Sequence, residues 1–207
     1  LSRSSASVPA TQRSIIGAER ASSSSTKLSN RAGALMPPIM NCGAPRSASV
    51  TSNLCSVARA AGVAAHEPHI DASEFDAIYF TGGHAVMWDF PDNEGLQRIT
   101  RAIHERGGIV SSVCHGYCGL LDTRLADGTL LVAGRRVTGF SWREEVLAGV
   151  AAKMPYNAEE EMKRRGARYE KAWLPFVSNV VVDGRLVTGQ NPTSAKATAE
   201  HVADLLK

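Results

Sequence analysis

Short apolar runs alternate with helical repeats of apolar residues from about residue 64 to the end of the chain. The run 76–81 is largely apolar, ends at a Gly-Gly pair and predicts a buried strand, and 109–113 predicts a second one. Between them Asp92 is expected to cap a helix, which carries apolar residues three or four positions apart until Gly107. Strands and helices that alternate in this way are typical of an α/β fold with a mainly parallel sheet.

The same alternation continues towards the carboxyl end of the chain. A helix is expected directly after residue 113, and a hairpin with a type I′ turn is expected at Asp183-Gly184, because Asp-Gly favours that turn. The remaining predicted elements are a strand near 136–140 and helices near 144–150, 157–165 and 193–206. Residues 64–207 are therefore interpreted as one α/β domain.

Residues 1–63 have a different composition. Up to about residue 35 they are rich in Ser, contain Arg and are almost free of acidic residues, and the paired apolar residues there are Ile15-Ile16. We interpret 1–63 as a low-complexity segment that is disordered or irregular, in which 50–61 predicts a helix. A flexible tail, an organelle transit peptide and a non-native start are three alternatives for its beginning.

Composition and charge exclude several classes of function. The 207 residues are 43% hydrophobic and 21% charged, enough to bury the core of one domain. No apolar run approaches the roughly eighteen residues of a membrane-spanning helix. Residues 1–70 hold seven basic and two acidic residues, but 71–207 holds 16 basic and 18 acidic ones, so no basic face for nucleic acid is expected. A small molecule or a peptide is the expected partner.

The cysteines limit the compartment and the cofactors. The four cysteines, at positions 42, 55, 114 and 118, form no Cys-x-x-Cys pair and no disulfide pattern. The simplest location for such a chain is a reducing cytoplasm. No metal site and no cofactor are predicted.

The sharpest chemical signal is the turn at Cys114-His115-Gly116. A β-branched strand ends in a cysteine that is followed by a small residue and a helix, so the thiol is expected to project from the carboxyl edge of the sheet. The start of that helix is expected to lower the pKa of Cys114, and its amides are expected to form an oxyanion hole. A buried structural cysteine is the alternative, because free cysteines are commonly buried.

Four motifs follow one another along the chain in a recognisable order. They are Gly82-Gly83-His84 with Trp88-Asp89, the Cys114 turn, Val137–Phe140 with Glu144-Glu145, and Thr188-Gly-Gln-Asn-Pro192. Together they resemble the PfpI branch of the class I glutamine amidotransferase-like superfamily, and within it the heat-shock-protein-31-type glyoxalase III and chaperone group. The resemblance covers 64–207 and is more specific than any single motif.

The resemblance implies a fold and a reaction. The fold is a flavodoxin-like three-layer sandwich with the active site at the carboxyl ends of the strands. Cys114 would attack methylglyoxal, His115 would move a proton between C1 and C2, and hydrolysis would release D-lactate without glutathione. Glu145 would orient His115, the alternative being a solvated acid in the first turn of a helix. Such an enzyme is a lyase, a D-lactate dehydratase of the glyoxalase III type.

The resemblance also implies the binding residues and the partners. Gly83 would lend its amide to the oxyanion hole, His84 would lie at the mouth of the pocket, and Gly116 would belong to the same binding loop. The substrate would be a small aldehyde, and the family implies a homodimer and a role in the stress response.

The amino-terminal part departs from the family pattern. Members of the superfamily begin with a strand of the parallel sheet, followed closely by an acidic residue that hydrogen-bonds the catalytic cysteine. Residues 1–63 contain no apolar run of the usual strand length, and neither Glu19 nor Glu67 stands in a matching context. The first strand is therefore expected to be missing or altered, and the acid that would poise Cys114 is not identified.

Two other functions are compatible with the motifs. The first is a cysteine amidase or peptidase of the same superfamily, but a glutaminase would place a Glu two residues after a downstream His, and His201 has none. The second is a holdase chaperone or redox sensor that uses exposed apolar surface or an oxidisable Cys114.

Overall fold

The apolar runs of the sequence become the strands of a five-stranded sheet. The structure, a computed structural model, describes residues 70–207 and the backbone of Ile15–Ala18. The strands are β1 (Ile15–Ala18), β2 (Ala77–Phe80), β3 (Ile109–Val113), β4 (Arg136–Val137), β5 (Arg168–Tyr169), β6 (Val180–Asp183) and β7 (Leu186–Gly189). The α-helices are α1 (Val86–Asp89), α2 (Glu94–Glu105), α3 (Trp142–Leu147), α4 (Ala158–Arg164) and α5 (Ala195–Leu205). Within residues 70–207, 3₁₀ helices span Ala72–Glu74, Cys114–Leu120, Ala151–Lys153 and Pro192–Ser194.

The sheet has the order β1-β2-β3-β7-β6. The strands from β1 to β7 in this order are parallel, and β6 runs antiparallel to β7. β4 and β5 form a separate parallel pair. The predicted α/β fold with a mostly parallel sheet is confirmed.

Side chains of β2 alternate between two apolar layers, because successive residues of a strand point to opposite faces of the sheet. Ile78 and Phe80 pack with Leu96 and other residues of α2 on one face. Ala77 and Tyr79 belong to the layer that contains Val202 of α5 on the other face. The sheet is thus covered on both sides, and its central strands β2, β3 and β7 are buried along their whole length.

The first strand corrects one expectation. We expected it to be missing or altered, because 1–63 offers no apolar run of the usual length. β1 is present, with Ile15 opposite Ala77 and Ala18 opposite Phe80 in a parallel ladder. The ladder with β2 is a tertiary contact that local periodicity does not reveal. The helix predicted over 50–61 lies outside the described residues.

Two local predictions are wrong by one position. Asn93, not Asp92, caps α2, because its side-chain oxygen accepts a hydrogen bond from the amide of Leu96 at 3.0 Å. The hairpin turn has Gly184 and Arg185 at its centre, and Gly184 alone of the two has a positive φ, of 61°. A type I′ turn needs a positive φ at both central residues, whereas Gly first with a positive φ is the pattern of type II′.

The predicted strand near 136–140 pairs over two residues only. After Val137 the backbone turns towards the sheet, where the amide of Thr138 donates to the side chain of Thr188 at 2.9 Å. The amide of Phe140 donates to the carbonyl of Cys114 at 3.4 Å. The segment therefore lines the carboxyl edge of the sheet instead of extending a ladder.

None of the helices within 70–207 combines the length and the apolar character that crossing a membrane requires. The predicted cytoplasmic location and the homodimer stay predictions.

Candidate active site

The cysteine turn lies directly after β3, at the centre of the sheet. Cys114 has a φ of 55°, a left-handed conformation that costs a non-glycine residue energy and that often occurs at functional turns. The chain then enters the 3₁₀ helix Cys114–Leu120. Gly116 makes this turn possible, because a Cβ at that position would lie 2.2 Å from the carbonyl oxygen of Phe80. The predicted strand-to-helix elbow is present, with a 3₁₀ helix where a helix was expected.

The sharp turn brings Cys114 and His115 face to face although they are neighbours in the chain. The Cys114 Sγ and the His115 Nδ1 lie 3.3 Å apart, and both side chains are buried. The ring of Phe140 packs against the ring of His115, with 4.8 Å between the ring centroids. His115 is thus held with one ring nitrogen towards the thiol.

The other ring nitrogen of His115 contacts Glu145. Ser141 caps α3 through its side chain, and this cap fixes the first turn of the helix from which Glu145 projects. The His115 Nε2 is hydrogen-bonded to the Glu145 Oε1, and both groups are almost fully buried. The solvated first-turn acid, the alternative for Glu145, is therefore wrong. The three residues Cys114, His115 and Glu145 form a continuous chain of contacts.

His84 reaches the same carboxylate from the loop after β2. Its Nε2 lies 3.3 Å from the Glu145 Oε2, and its ring centroid lies 4.4 Å from that of His115. The His84 side chain is 45% exposed, whereas that of Glu145 is 4% exposed. His84 therefore lies between the buried carboxylate and the solvent, where the mouth of a pocket was predicted.

Two backbone amides point at the thiol. The amides of Gly83 and His115 hydrogen-bond the sulfur of Cys114. Gly83 has a φ of 123°, which an L-residue rarely adopts. Gly82 packs so closely that a Cβ on it would lie 2.6 Å from the Cβ of Cys114. The oxyanion roles of Gly83 and Gly116 stay predictions. The Gly83 amide that such a role requires is hydrogen-bonded to the sulfur of Cys114.

The thiol itself departs from the prediction of a lowered pKa. Burial raises the pKa of Cys114 to about 12, and the nearby charges of Glu145 and Glu144 also act upwards. The amide hydrogen bonds from His115 and Gly83 act in the opposite direction but do not outweigh burial. Cys114 is thus a neutral thiol at neutral pH, and a base has to remove its proton when it reacts.

Sequence reasoning did not find the network around Glu144. This buried carboxylate accepts hydrogen bonds from the backbone and hydroxyl of Ser141, from the amide of Phe176, and from the side chains of Gln190 and Asn191, at 2.8 to 3.0 Å. The Gln-Asn pair of the fourth motif therefore serves to hold Glu144. The motifs contain Glu144, Gln190 and Asn191, and this was the signal in the sequence for such a network. The spacing of the motifs could not show which of the two acids, Glu144 or Glu145, the Gln-Asn pair binds.

A divalent metal could find ligands at the same place. His84, His115 and Glu145 are the one group of three or more His, Cys, Asp or Glu residues within 70–207 whose ligand atoms all lie within 4.8 Å of one another. No metal was predicted from the sequence.

Comparison with known proteins assigns the chain to a family. The sequence profile of the DJ-1/PfpI family matches residues 46–205. The chain belongs to the DJ-1/PfpI family. This confirms the predicted resemblance, and the match begins before residue 64.

Curated relatives of this DJ-1/PfpI protein include fungal glyoxalases. It is 36% identical over 145 residues to the glutathione-independent glyoxalase HSP31 of Saccharomyces cerevisiae, covering 67% of this chain and 60% of the yeast protein. It is 34% identical over 140 residues to glyoxalase 3 of Candida albicans, covering 64% of this chain and 58% of that protein. The chain thus spans about three fifths of the length of these relatives.

Solved structures of similar proteins have the same fold. The crystal structure of glyoxalase III from Candida albicans superimposes with a TM-score of 0.66 and 31% identity, over 75% of this chain and 67% of the other. The 24 kDa rapid encystment protein of Francisella tularensis gives a TM-score of 0.65 and 33% identity, over 67% and 61% of the two chains. The flavodoxin-like fold expected from the motifs is confirmed.

Proposed function

We propose that this DJ-1/PfpI protein is a glutathione-independent glyoxalase that converts methylglyoxal and water to D-lactate. The observation that carries the proposal is the continuous contact from Cys114 through His115 to Glu145 at the end of β3. The glyoxalase names of its fungal relatives support the reaction type. The catalytic residues are Cys114, His115 and Glu145, and the enzyme would be classed as a lyase, a D-lactate dehydratase.

The first step forms a carbon–sulfur bond. The His115 Nδ1, 3.3 Å from the thiol, takes the proton of Cys114 as the sulfur attacks the aldehyde carbon C1. The aldehyde oxygen becomes an oxyanion beside the amide of Gly83 and is then protonated to give a hemithioacetal. Because the resting thiol has a raised pKa, base removal of its proton accounts for activation better than a preformed thiolate does.

The second step moves hydrogen from C1 to C2. His115 removes the C1 hydrogen as a proton, leaving an enediolate, and delivers a proton to C2. C1 is thereby oxidised to a thioester and C2 is reduced to an alcohol, so no external oxidant is needed. Water then cleaves the thioester, which releases lactate and restores the Cys114 thiol.

Glu145 fixes the tautomer of His115 that these steps need. A carboxylate at Nε2 keeps the proton on that nitrogen, which leaves the lone pair on Nδ1 facing Cys114. Glu145 is buried and its carboxylate also lies 3.3 Å from His84. We assign His84 to the substrate-binding side of the pocket, because it is the exposed member of the group.

The decisive experiment measures D-lactate formed from methylglyoxal without glutathione, in a buffer that contains a metal chelator. We expect turnover by the intact chain and none above background by Cys114→Ser. Cys118→Ser is the matched control, since Cys118 is a second buried free cysteine one turn later. Equal turnover by Cys114→Ser and the intact chain would refute the proposal, as would loss of turnover in both variants.

An exposed apolar surface favours a second function, that of a holdase chaperone. Trp173 is 85% exposed, and large apolar residues nearby in the chain, Leu174, Phe176 and Val177, are each at least 40% exposed. Exposed apolar surface of this kind can retain unfolded chains. Suppression of light scattering by an aggregating client should then survive in Cys114→Ala and weaken in Trp173→Ser, and equal suppression by both variants would reject this surface.

A further inference from the structure

Phe176 shares an unusual backbone conformation with the proposed nucleophile. Within residues 70–207, the non-glycine residues with a positive φ are Cys114, at 55°, and Phe176, at 62°. This left-handed conformation costs energy for a residue with a side chain, and it persists where the surroundings hold it, often at functional sites. Phe176 lies between β5 and β6 and takes no part in the proton transfers proposed above.

Hydrogen bonds fix the backbone of Phe176 on both sides. Its amide donates to the Glu144 Oε1 at 2.8 Å, and its carbonyl accepts a hydrogen bond from the Thr193 hydroxyl at 2.9 Å. The next carbonyl, that of Val177, accepts a hydrogen bond from the Asn191 side chain at 2.7 Å. The Phe176 side chain is nevertheless 43% exposed, so burial of the ring does not explain why the backbone is held in this way.

The ring of Phe176 continues the apolar lining of the active site. Its centroid lies 6.1 Å from that of Phe140, within the range of interacting aromatic pairs. The Phe140 ring lies 4.8 Å from that of His115 and 6.4 Å from that of His84, and Phe140 belongs to the same buried cluster as Cys114. Because Phe140 is 8% exposed, Phe176 is the outer ring of a two-ring wall that begins beside His115.

The proposed reaction determines which part of the substrate reaches this wall. C1 bonds to the sulfur of Cys114, and C2 has to lie near His115, because His115 delivers its proton. The substituent on C2 therefore extends along the side of His115 on which Phe140 packs. Phenyl rings offer no polar hydrogen-bonding group, so this wall favours an apolar or aromatic substituent and gains nothing from the hydrogen that glyoxal carries there.

We propose that Phe176 is a specificity-determining residue that, together with Phe140, receives the C2 substituent of 2-oxoaldehydes and favours an aromatic group there. The inference rests on the proposed glyoxalase function. With phenylglyoxal, the sulfur of Cys114 adds to C1, the hydrogen moves from C1 to C2, and water cleaves the thioester to release mandelate. C1 is oxidised and C2 is reduced as with methylglyoxal, so water is the only co-reactant.

The test compares initial rates of glycolate, lactate and mandelate formation from glyoxal, methylglyoxal and phenylglyoxal. In Phe176→Ala we expect kcat/KM for phenylglyoxal to fall by at least about tenfold, mainly through KM, and that for glyoxal to change by less than about twofold. Phe176→Leu should lie between, because it keeps an apolar side chain without the ring. Leu147→Ala, which removes another exposed apolar side chain, on α3, is the matched control and should change none of the three values.

An equal fall for all three aldehydes in Phe176→Ala would assign Phe176 a structural role and overturn the inference, as would unchanged kinetics with phenylglyoxal. If the intact chain converts none of the aldehydes, the proposed function is refuted, and calorimetric binding of mandelate to Cys114→Ser tests the wall by itself. Binding that weakens about tenfold when Phe176→Ala is added would leave the wall standing. Binding that is absent, or equal with and without Phe176→Ala, would overturn the inference.

Discussion

Glu144 and Glu145 are neighbours on α3 and both are buried, yet they lie in two different regions. Glu144 belongs to a structural cluster with Ser141, Phe176, Gln190 and Asn191. Glu145 belongs to a reactive cluster with His84, His115 and Cys114. Adjacent positions with the same side chain and nearly the same burial therefore have different partners, and the partners decide what each acid can do.

The donors of the structural cluster are amides and a hydroxyl, which keep their protons near neutral pH. Burial pushes the pKa of Glu144 upwards, but hydrogen bonds from Asn191, Ser141 and Phe176 hold it below its ordinary value. Glu144 stays charged and ties α3 to the loop before β6 and to the loop after β7. The partners of Glu145 are the imidazoles of His84 and His115, whose ring nitrogens can either donate or accept a hydrogen bond.

The largest expected effect tests the reactive side of this comparison. Glu145→Gln should lower kcat for lactate formation by about 10³-fold, because the amide no longer fixes the tautomer of His115 or stabilises its protonated form. The free energy of unfolding should change by less than about 1 kcal/mol, because the ring nitrogens that face Glu145 can accept a hydrogen bond from the Gln amide as well as donate one. Steady-state kinetics and urea unfolding measure the two effects.

A Glu145→Gln variant with unchanged kcat would show that Glu145 is structural like its neighbour. Glu144→Gln is the matched control, because it changes the same atoms one residue away and lies in the other cluster.

The structural side is tested by the stability of Glu144→Gln. We expect the free energy of unfolding to fall by about 3 kcal/mol, because the amide nitrogen of Gln would face donors from Asn191 and Phe176 and leave buried hydrogen bonds unsatisfied. The kcat of the folded molecules should fall far less than in Glu145→Gln. If the variant unfolds at the same urea concentration as the wild type, the Glu144 cluster does not stabilise the fold.

The fold could be predicted where one strand or helix carries its own signal. β3 has the predicted bounds, 109–113, because a β-branched run between Gly108 and Cys114 has no competing period. β1 was harder, since its four residues Ile15–Ala18 are paired with β2, a partner about sixty residues away in the chain. The hairpin turn was misplaced by one residue, because the register between β6 and β7, not the Asp-Gly pair, sets its centre.

The site could be predicted as a set of residues but not as an electrostatic environment. The order of the motifs implied that Cys114, His115 and Glu145 act as one catalytic set. In the structure these three residues are in contact. The direction of the thiol pKa was wrong, because burial is a property of the whole fold and outweighs the local amides. The separate roles of Glu144 and Glu145 depend on side chains 30 to 47 positions away, such as His115 and Asn191.

A smaller expected effect is the pH dependence of the reactivity of the Cys114 thiol in the reactive cluster. With a pKa raised to about 12, Cys114 should react with iodoacetamide about tenfold faster for each pH unit between pH 7 and 9, because only the thiolate is nucleophilic. Peptide mass spectrometry measures the rate at this cysteine. A rate that has already levelled off at pH 7 would mean that the thiolate is preformed, as the sequence alone suggested.

The smallest expected effect is the pH dependence of the stability that Glu144 provides. Its pKa is lower in the folded protein than the ordinary glutamate value of 4.5, so the folded state binds this proton more weakly than the unfolded state. The stability it contributes is complete above the unfolded pKa and is lost as the pH falls through the folded one. The difference between the wild type and Glu144→Gln should therefore be constant from pH 8 to about pH 5.5 and shrink below pH 4.5, by at most about 1.4 kcal/mol per unit of pKa shift.

Unfolding by urea at several pH values, carried out in parallel on both proteins, measures this difference. Glu159 also has a lowered pKa, because hydrogen bonds from Lys163 and Lys171 outweigh its burial, but it is present in both proteins and cancels. A difference that stays constant down to pH 3 would mean that the donors around Glu144 hold a protonated acid as well as a charged one. The cluster around Glu144 would then stabilise the fold through packing and the number of its hydrogen bonds, not through the charge of Glu144. Glu144 and Glu145 would then differ only in whether their partners exchange protons.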